Sequence, residues 1–388
     1  MVMKNISLAL IFLFSCCVNL HAQKPEKIVS FAKVPKSGTY YKEQAQLWEK
    51  EVKKNRKNAP AWMNFYFAKR FTFIHAEKKN PLAEKTTLDS IVTQMEKNIS
   101  NTFEYNYVKY RQSGLDLDYL PYLEKAYKMN PERTETYSDL VVCYEATRNI
   151  EARNKFAKLM YEKTEPSPGI LNYNYNVMSG LEENTILITA GDNDTYPVWM
   201  LQNALNFRKD ITVLNLSVLL IDSYRNKILT ELGVDTSGLK VPWEWNTENL
   251  DKFKAEMVKR LASNKKKFPV ALALTGGADY PKELKDNLYL TGLAMNYSPE
   301  RIDNVALLKK NFEQNYALDY LKVDFMPNDV SKAIVKRTNE NYLVPVINLY
   351  EHYKMAGETT KADQYRLLAQ TIAKGTTQEE TLSKYFGK

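Results

Sequence analysis

The 388-residue sequence contains three histidines, His21, His75 and His352, and none between residues 76 and 351. A domain inside that interval cannot supply the histidine of a hydrolytic triad or of a histidine-ligated zinc site. Cysteine is as scarce. Cys16 and Cys17 sit near the N-terminus, which leaves Cys143 without a pairing partner, and no internal disulfide can staple the remainder. Beyond the first residues no stretch approaches the ~20 apolar residues of a membrane-spanning helix. Collagen-like and coiled-coil periods are absent, and a hydrophobic fraction of 44% with 26% charged residues excludes disorder as the main state. The formal charge is +8, but Lys and Arg are dispersed. The short run Lys265-Lys266-Lys267 reads as a solvated face, so nucleic acid is not an expected partner.

What is present begins with an address. Lys4 forms a positive n-region, Ile6 to Val18 is an uncharged apolar run, and Ala22 is a small residue at a plausible cut. This is the pattern of a secretory signal peptide over residues 1–22, so the expected location is periplasmic or exported. Leu13-Phe14-Ser15-Cys16 also loosely fits a lipoprotein box, which makes an anchor at Cys16 the alternative.

Helical periodicity starts at Tyr41, with Ala45, Trp48 and Val52 on one face. An aromatic-rich helix runs from Trp62 to Ile74, and Leu88, Ile91 and Met95 continue the pattern. Leu123, Ala126 and Pro131, then Tyr137, Leu140 and Tyr144, fall at tetratricopeptide spacing, and Ala152 and Phe156 continue it with a loop one residue short. Large residues there fill the space between paired helices, small ones let them approach, and Pro ends the second helix. Leu349, Tyr353, Gly357, Ala362 and Ala369 repeat the spacing near the C-terminus. A generic helical hairpin explains the same residues. His75, His352 and Cys143 fall on these helices and read as packing residues.

Between the helical regions the period changes. Thr185–Ala190, Ile211–Leu216 and Pro269–Leu274 are short apolar runs, as in buried parallel strands, and Leu288–Met295 is a possible fourth. The expected fold is α/β plus α: a small parallel, Rossmann-like sheet flanked by tetratricopeptide-like hairpins. The expected divisions are 23–166 (helical), 167–300 (α/β) and 301–388 (C-terminal helices).

Ligands of parallel sheets bind beyond the carboxyl ends of the strands. Asp192, Asn193, Asp194 and Thr195 follow the first strand, Asn215, Ser217 and Asp222 follow the second, and Thr275, Gly276 and Gly277 follow the third. Such carboxylates could grip sugar hydroxyls, ligate Ca²⁺ or Mg²⁺, or share acid–base work, with Asp192, Asp194 and Asp222 as the acids. Trp243 and Trp245 could stack on a sugar. The same residues have a plainer use. Asp194 or Thr195 caps a helix starting near Pro197, Asp192 and Asn193 close its turn, and Asp222 caps the next helix. One glycine and two acids make a poor phosphate cradle, so no nucleotide cofactor is expected.

The segment Gly191-Asp192-Asn193-Asp194-Thr195-Tyr196-Pro197 through Gln202, the run Arg208 to Ser217, and Asp222 and Tyr224 resemble the soluble C-terminal tail of the bacterial protein O-mannosyltransferase-like membrane family. The resemblance covers about 180–300 and adds Tyr224 to the candidate ligand residues. It implies a tail fold, not transferase activity, because the membrane domain that would hold donor and catalytic acid has no counterpart here. The expected function is a non-enzymatic envelope scaffold or binding protein. Its repeats would bind a protein partner, and its α/β edge a glycan, peptide or cation. The alternative is an accessory subunit or enzyme acting with a membrane glycosyltransferase on envelope glycans or glycoproteins.

Overall fold

The computed structural model describes residues 24–163, 166–239, 241, 246–276 and 281–387. The leader, with Cys16 and Ala22, and the Trp243, Trp245 and Gly277 positions lie outside them. An extended lead, residues 24–30, lies along the first helices. The Ile28 amide donates to Asn64 and the Trp48 indole donates to the Glu26 carbonyl. Then come α1 (Gly38–Lys54), α2 (Ala59–Ile74), α3 (Pro81–Ile99), α4 (Phe103–Gln112), α5 (Leu120–Met129), α6 (Tyr137–Thr147) and α7 (Ile150–Glu162). Ser37, Asn58, Asn80, Thr102 and Asn149 accept hydrogen bonds from free first-turn amides, which fixes where five of these helices start. The aromatic helix α2 is buried on most of its circumference, from Trp62 and Phe65 to Tyr66 and Phe67, and α1, α3 and α4 pack against it.

The α/β part follows with α8 (Pro168–Ser179), β1 (Ile186–Thr189), α9 (Asp192–Ala204), β2 (Thr212–Asn215), α10 (Asp222–Glu231), α11 (Thr247–Ala262), β3 (Val270–Ala273), β4 (Leu288–Leu290) and β5 (Ala294–Tyr297). The sheet has five strands in the order β2-β1-β3-β5-β4. β2, β1 and β3 are parallel, with Ile188 opposite Leu214 and Leu272. The expected single fourth strand is two. Thr291-Gly292-Leu293 turns the chain, with Gly292 at φ +157, into an antiparallel hairpin, so the sheet is mixed. The Tyr316 hydroxyl fills the space a side chain at Gly292 would need.

Alternation along the strands explains why both faces are covered. Leu187, Val213 and Ala271 join the core shared with α9 and the N-terminal helices. Ile186, Ile188, Leu214, Val270 and Leu272 join a second core with Ile228, Phe253, Met257 and Leu261 of α10 and α11. The chain closes with α12 (Asn304–Lys310), α13 (Lys332–Asn339), α14 (Leu343–Met355), α15 (Thr359–Ala373) and α16 (Glu379–Phe386). Gly357, at φ +74, turns α14 into α15, and Leu349, Tyr353, Ala362 and Ala369 are buried between the two. No helix among the described residues is long and apolar enough to cross a membrane.

One buried charge ties the two parts together. Glu145 of α6 is 1% exposed and accepts from Arg148 (2.6 Å), Arg153 (2.7 Å) and the Tyr224 hydroxyl of α10 (2.9 Å). Breaking such a pair strands the remaining charges, so Glu145→Ala is expected to cost about 3–5 kcal/mol in urea unfolding. The exposed Glu248→Ala, which removes an i,i+4 pair with Lys252, is expected to cost less than about 0.5 kcal/mol.

Candidate functional site

The acidic turn after β1 divides its residues between structure and solvent. Asp194 is 3% exposed. Its carboxylate accepts from the amides of Ala190 (3.0 Å) and Gly191 (2.8 Å), from the Thr275 hydroxyl (2.6 Å) and from Thr195 (3.3 Å). It therefore pins the ends of β1 and β3 to the first turn of α9. The helix starts at Asp192, earlier than expected, so Asp194 is its third residue and reaches back rather than capping from outside. An acid at this position also suits the positive end of the helix. Thr195 is 2% exposed and continues the network to the Thr189 hydroxyl (2.7 Å) and Asn215 Nδ2 (2.9 Å). Asn215 in turn accepts from the amides of Ser217 and Val218, closing the turn after β2.

Pro197 lies inside α9, not at its first turn. It has no N–H for the carbonyl four residues back. That carbonyl, Asn193 O, accepts instead from buried Asn174 Nδ2 of α8 at 2.8 Å. The Asn193 side chain does not close the turn either. It donates to Ala32 O at 3.1 Å and ties down the N-terminal lead. The remainder of the motif is also framework: Gln202 Nε2 donates to the Arg208 and Ile211 carbonyls, and the Arg208 guanidinium donates to those of Met178, Leu181 and Glu182.

Asp192 is different. It is exposed, and its carboxylate has no hydrogen bond within the described structure. It lies where four cavities meet. A 240 Å³ chamber is lined by Arg70, Tyr110, Arg111, Asp139, Tyr196 and Trp199 together with Asp192, Asn215 and Ser217. A 400 Å³ chamber runs under the N-terminal lead, between Phe31, Phe67, Phe71 and Tyr107. A 360 Å³ mouth opens past Thr275 and Arg337. Asp192 is open to water yet sits in a concave surround. That surround pushes its pKa up, the charges of Asp139 and Asp194 push it further, and Arg111 opposes them.

Sequence reasoning missed the wall opposite. Asp139 of α6 is 5% exposed and takes Arg111 Nη1 on Oδ1 at 2.5 Å. Asp139 Oδ2 and Arg111 Nε are buried without a hydrogen-bond partner. Burial raises the Tyr107 phenol's pKa, and so do the Asp139 charge and a hydrogen-bond approach to its carboxylate, although no donor meets Oδ2 in good geometry. The available signal was an acid in a helix that is buried almost all round: α6 buries Tyr137, Leu140, Val141 and Cys143 alongside Asp139.

Two candidates lie elsewhere. Asp222 does not cap α10 but is its first residue, 76% exposed and paired with Arg225 at 2.6 Å. Tyr224 is fully buried against Glu145. Neither lines the cleft. Cys143 is buried beside the Tyr110 hydroxyl, and burial pushes its thiol up to about 12, so it is no nucleophile at neutral pH. Among the described residues no three acidic, histidine or cysteine side chains gather as a metal site.

Residues 170–232 match the family model of TMEM260-associated domain 2. The match links the chain to the TMEM260 and protein O-mannosyltransferase-like family, and it runs from α8 through α10. The matched segment thus includes Asp194 with its Ala190, Gly191 and Thr195 donors, Asp192 and buried Tyr224, whereas Thr275, Arg111 and Asp139 lie outside it. No curated protein matches the chain.

The two acids are expected to respond oppositely to amidation. Asp194→Asn replaces an acceptor oxygen with an N–H₂ facing backbone donors and is expected to cost about 1–3 kcal/mol. Asp192→Asn removes a carboxylate whose folded pKa is raised by its concave surround, so its charge opposes folding at neutral pH. That variant is expected to be more stable than the parent at pH 7. Its advantage should shrink as pH falls through the raised pKa, and vanish below the ordinary aspartate value, where the parent is protonated in both states. Urea titrations at several pH values measure both effects.

Proposed function

We propose that the chain is a non-enzymatic binding protein of the cell envelope that takes a neutral, hydroxyl-rich ligand, a glycan or glycosylated peptide, in the cleft at Asp192. Its helical hairpins would carry a protein partner. The supporting observation is the set of polar atoms left over around one chamber. Asp192 and Asp139 Oδ2 need donors, while Arg111 Nε needs an acceptor. A hydroxyl is both donor and acceptor, and adjacent hydroxyls on one ring can answer both needs. Two cations, Arg70 and Arg111, balance two carboxylates, Asp139 and Asp192, in this lining, which favours a neutral guest. Half-buried Tyr196 offers flat apolar surface beside the polar groups.

The arrangement also argues against acid–base work by the three acids expected for it. Asp194 spends its oxygens on the fold and Asp222 faces solvent, so Asp192 stands in the cleft without either. The second reading, an accessory subunit working with a membrane glycosyltransferase, is favoured by the family match over 170–232. In that role the cleft would hold donor-derived or acceptor glycan while the membrane enzyme performs the transfer.

The test is a thermal-shift and calorimetric titration of the chain from Gln23 onward with neutral manno-, gluco- and galacto-oligosaccharides. A ligand at about 100 times its dissociation constant should stabilise by about 2.7 kcal/mol. Asp192→Asn and Asp139→Asn should each weaken binding about tenfold or more, since each removes a charged acceptor. Binding that ignores both substitutions, or no binding by any oligosaccharide, would overturn the reading.

A further inference from the structure

The loop between Leu321 and Ser331 reverses the usual arrangement of polar and apolar groups. Every residue from Lys322 to Asn328 is exposed. Within it and just beyond, Val323 is 51%, Phe325 64%, Met326 48% and Val330 73% exposed. Four large apolar side chains in eight consecutive residues are thus in water, whereas scattered single ones are the norm for a protein surface.

The loop's carboxylates are hydrogen-bonded or paired. Asp324 accepts from the Met326 amide (3.1 Å) and Lys332 Nζ (2.6 Å). Asp329 accepts from the Ser331 amide (2.8 Å) and from the Ser167 hydroxyl, which fastens the loop to the start of α8. Asp319 pairs with Lys322 at 3.3 Å. These acids are therefore neutralised or committed to holding the loop in shape. Lys336 and Arg337, exposed on the helix that follows, form no ion pair among the described residues. On that helix and its C-cap the two cations without an ion pair, Lys336 and Arg337, outnumber the one such acid, Glu340, so the excess charge is positive, as is the net charge of the chain, +8.

We infer that residues 323–330 form a membrane-docking loop, which sinks its apolar side chains among the headgroups of an anionic bilayer while Lys336 and Arg337 meet the lipid phosphates. Separate apolar tips on an irregular, fully exposed loop offer a protein neither a strand edge nor a helical stripe. A bilayer surface asks only for apolar area flanked by cations. The position gives the docking a use. Ser331 lines one cavity at Asp192, and Arg337 lines the mouth of another, so a docked loop holds the cleft entrance at the membrane surface. This inference goes beyond the ligand reading and stands without it.

The test is sedimentation of the chain from Gln23 onward with phosphatidylglycerol-containing and pure phosphatidylcholine vesicles, alongside Phe325→Ser/Val330→Ser and Lys336→Gln/Arg337→Gln. The parent is expected to sediment with the anionic vesicles, and each double variant to bind about tenfold more weakly with an unchanged melting temperature. An environment-sensitive fluorophore on Phe325→Cys should report an apolar setting on those vesicles, with Cys143 buried and unlabelled. Absence of sedimentation overturns the inference. So does sedimentation that ignores Phe325→Ser/Val330→Ser with no change at the label, because the net charge then adsorbs elsewhere. Loss of a protein partner in that variant without vesicle binding also overturns it, assigning the loop to a protein interface.

Discussion

The architecture of the cleft depends on one buried carboxylate. Asp194 gathers donors from the end of β1, from α9 itself and from the end of β3. A carboxylate can be kept at 3% exposure only when its oxygens are satisfied, and these donors satisfy both of them. The consequence is positional. With Asp194 held inward at the third residue of α9, Asp192 at the first residue is turned out, and the cavities converge on it. Two acids two residues apart are therefore given opposite work by helix geometry.

Around that fixed turn the chain solves local problems that would otherwise weaken it. Pro197 would leave a carbonyl unpaired in α9, and Asn174 answers it. The lead at 24–32 would be loose, and Asn193 and Asn64 hold it by its backbone. The lead roofs the aromatic chamber, and the N-terminal helices bring Arg111 and Asp139 to the wall facing Asp192. The site is thus built between two parts of the chain, and Glu145 binds those parts together some distance away.

The fold was legible in the sequence to the extent that hydrophobic period carries it. The runs at 186–189, 212–215 and 270–273 became strands because each is short, apolar and bounded by turns. The hairpin at 288–297 was read as one strand because Gly292 marks a turn only through its conformation, which composition does not reveal. At the site, the segment 191–195 was found, but the roles inside it were not. Capping and binding draw on the same residue types, and which acid faces inward depends on where the helix starts. Pro197 suggested a later start, because a proline six residues into a helix is tolerated only when another group takes the orphaned carbonyl. Arg111 and Asp139 escaped notice because their pairing joins α4 to α6, a contact no local pattern encodes. Asp222 was drawn in by following the second strand and Tyr224 by the resemblance, whereas α10 leaves Asp222 in solvent paired with Arg225 and buries Tyr224 against Glu145, so neither lines the cleft.

The central claim is that Asp194 is spent on the fold while Asp192 is free for a ligand bridging to Asp139 and Arg111. A crystal structure of the chain grown with a bound neutral oligosaccharide tests it most directly. The account predicts sugar hydroxyls within hydrogen-bond distance of the Asp192 carboxylate, Asp139 Oδ2 and Arg111 Nε, with the contacts of Asp194 to Ala190, Gly191 and Thr275 intact. A sugar seated away from Asp192, or an Asp192 carboxylate bonded to the protein's own backbone, would contradict it.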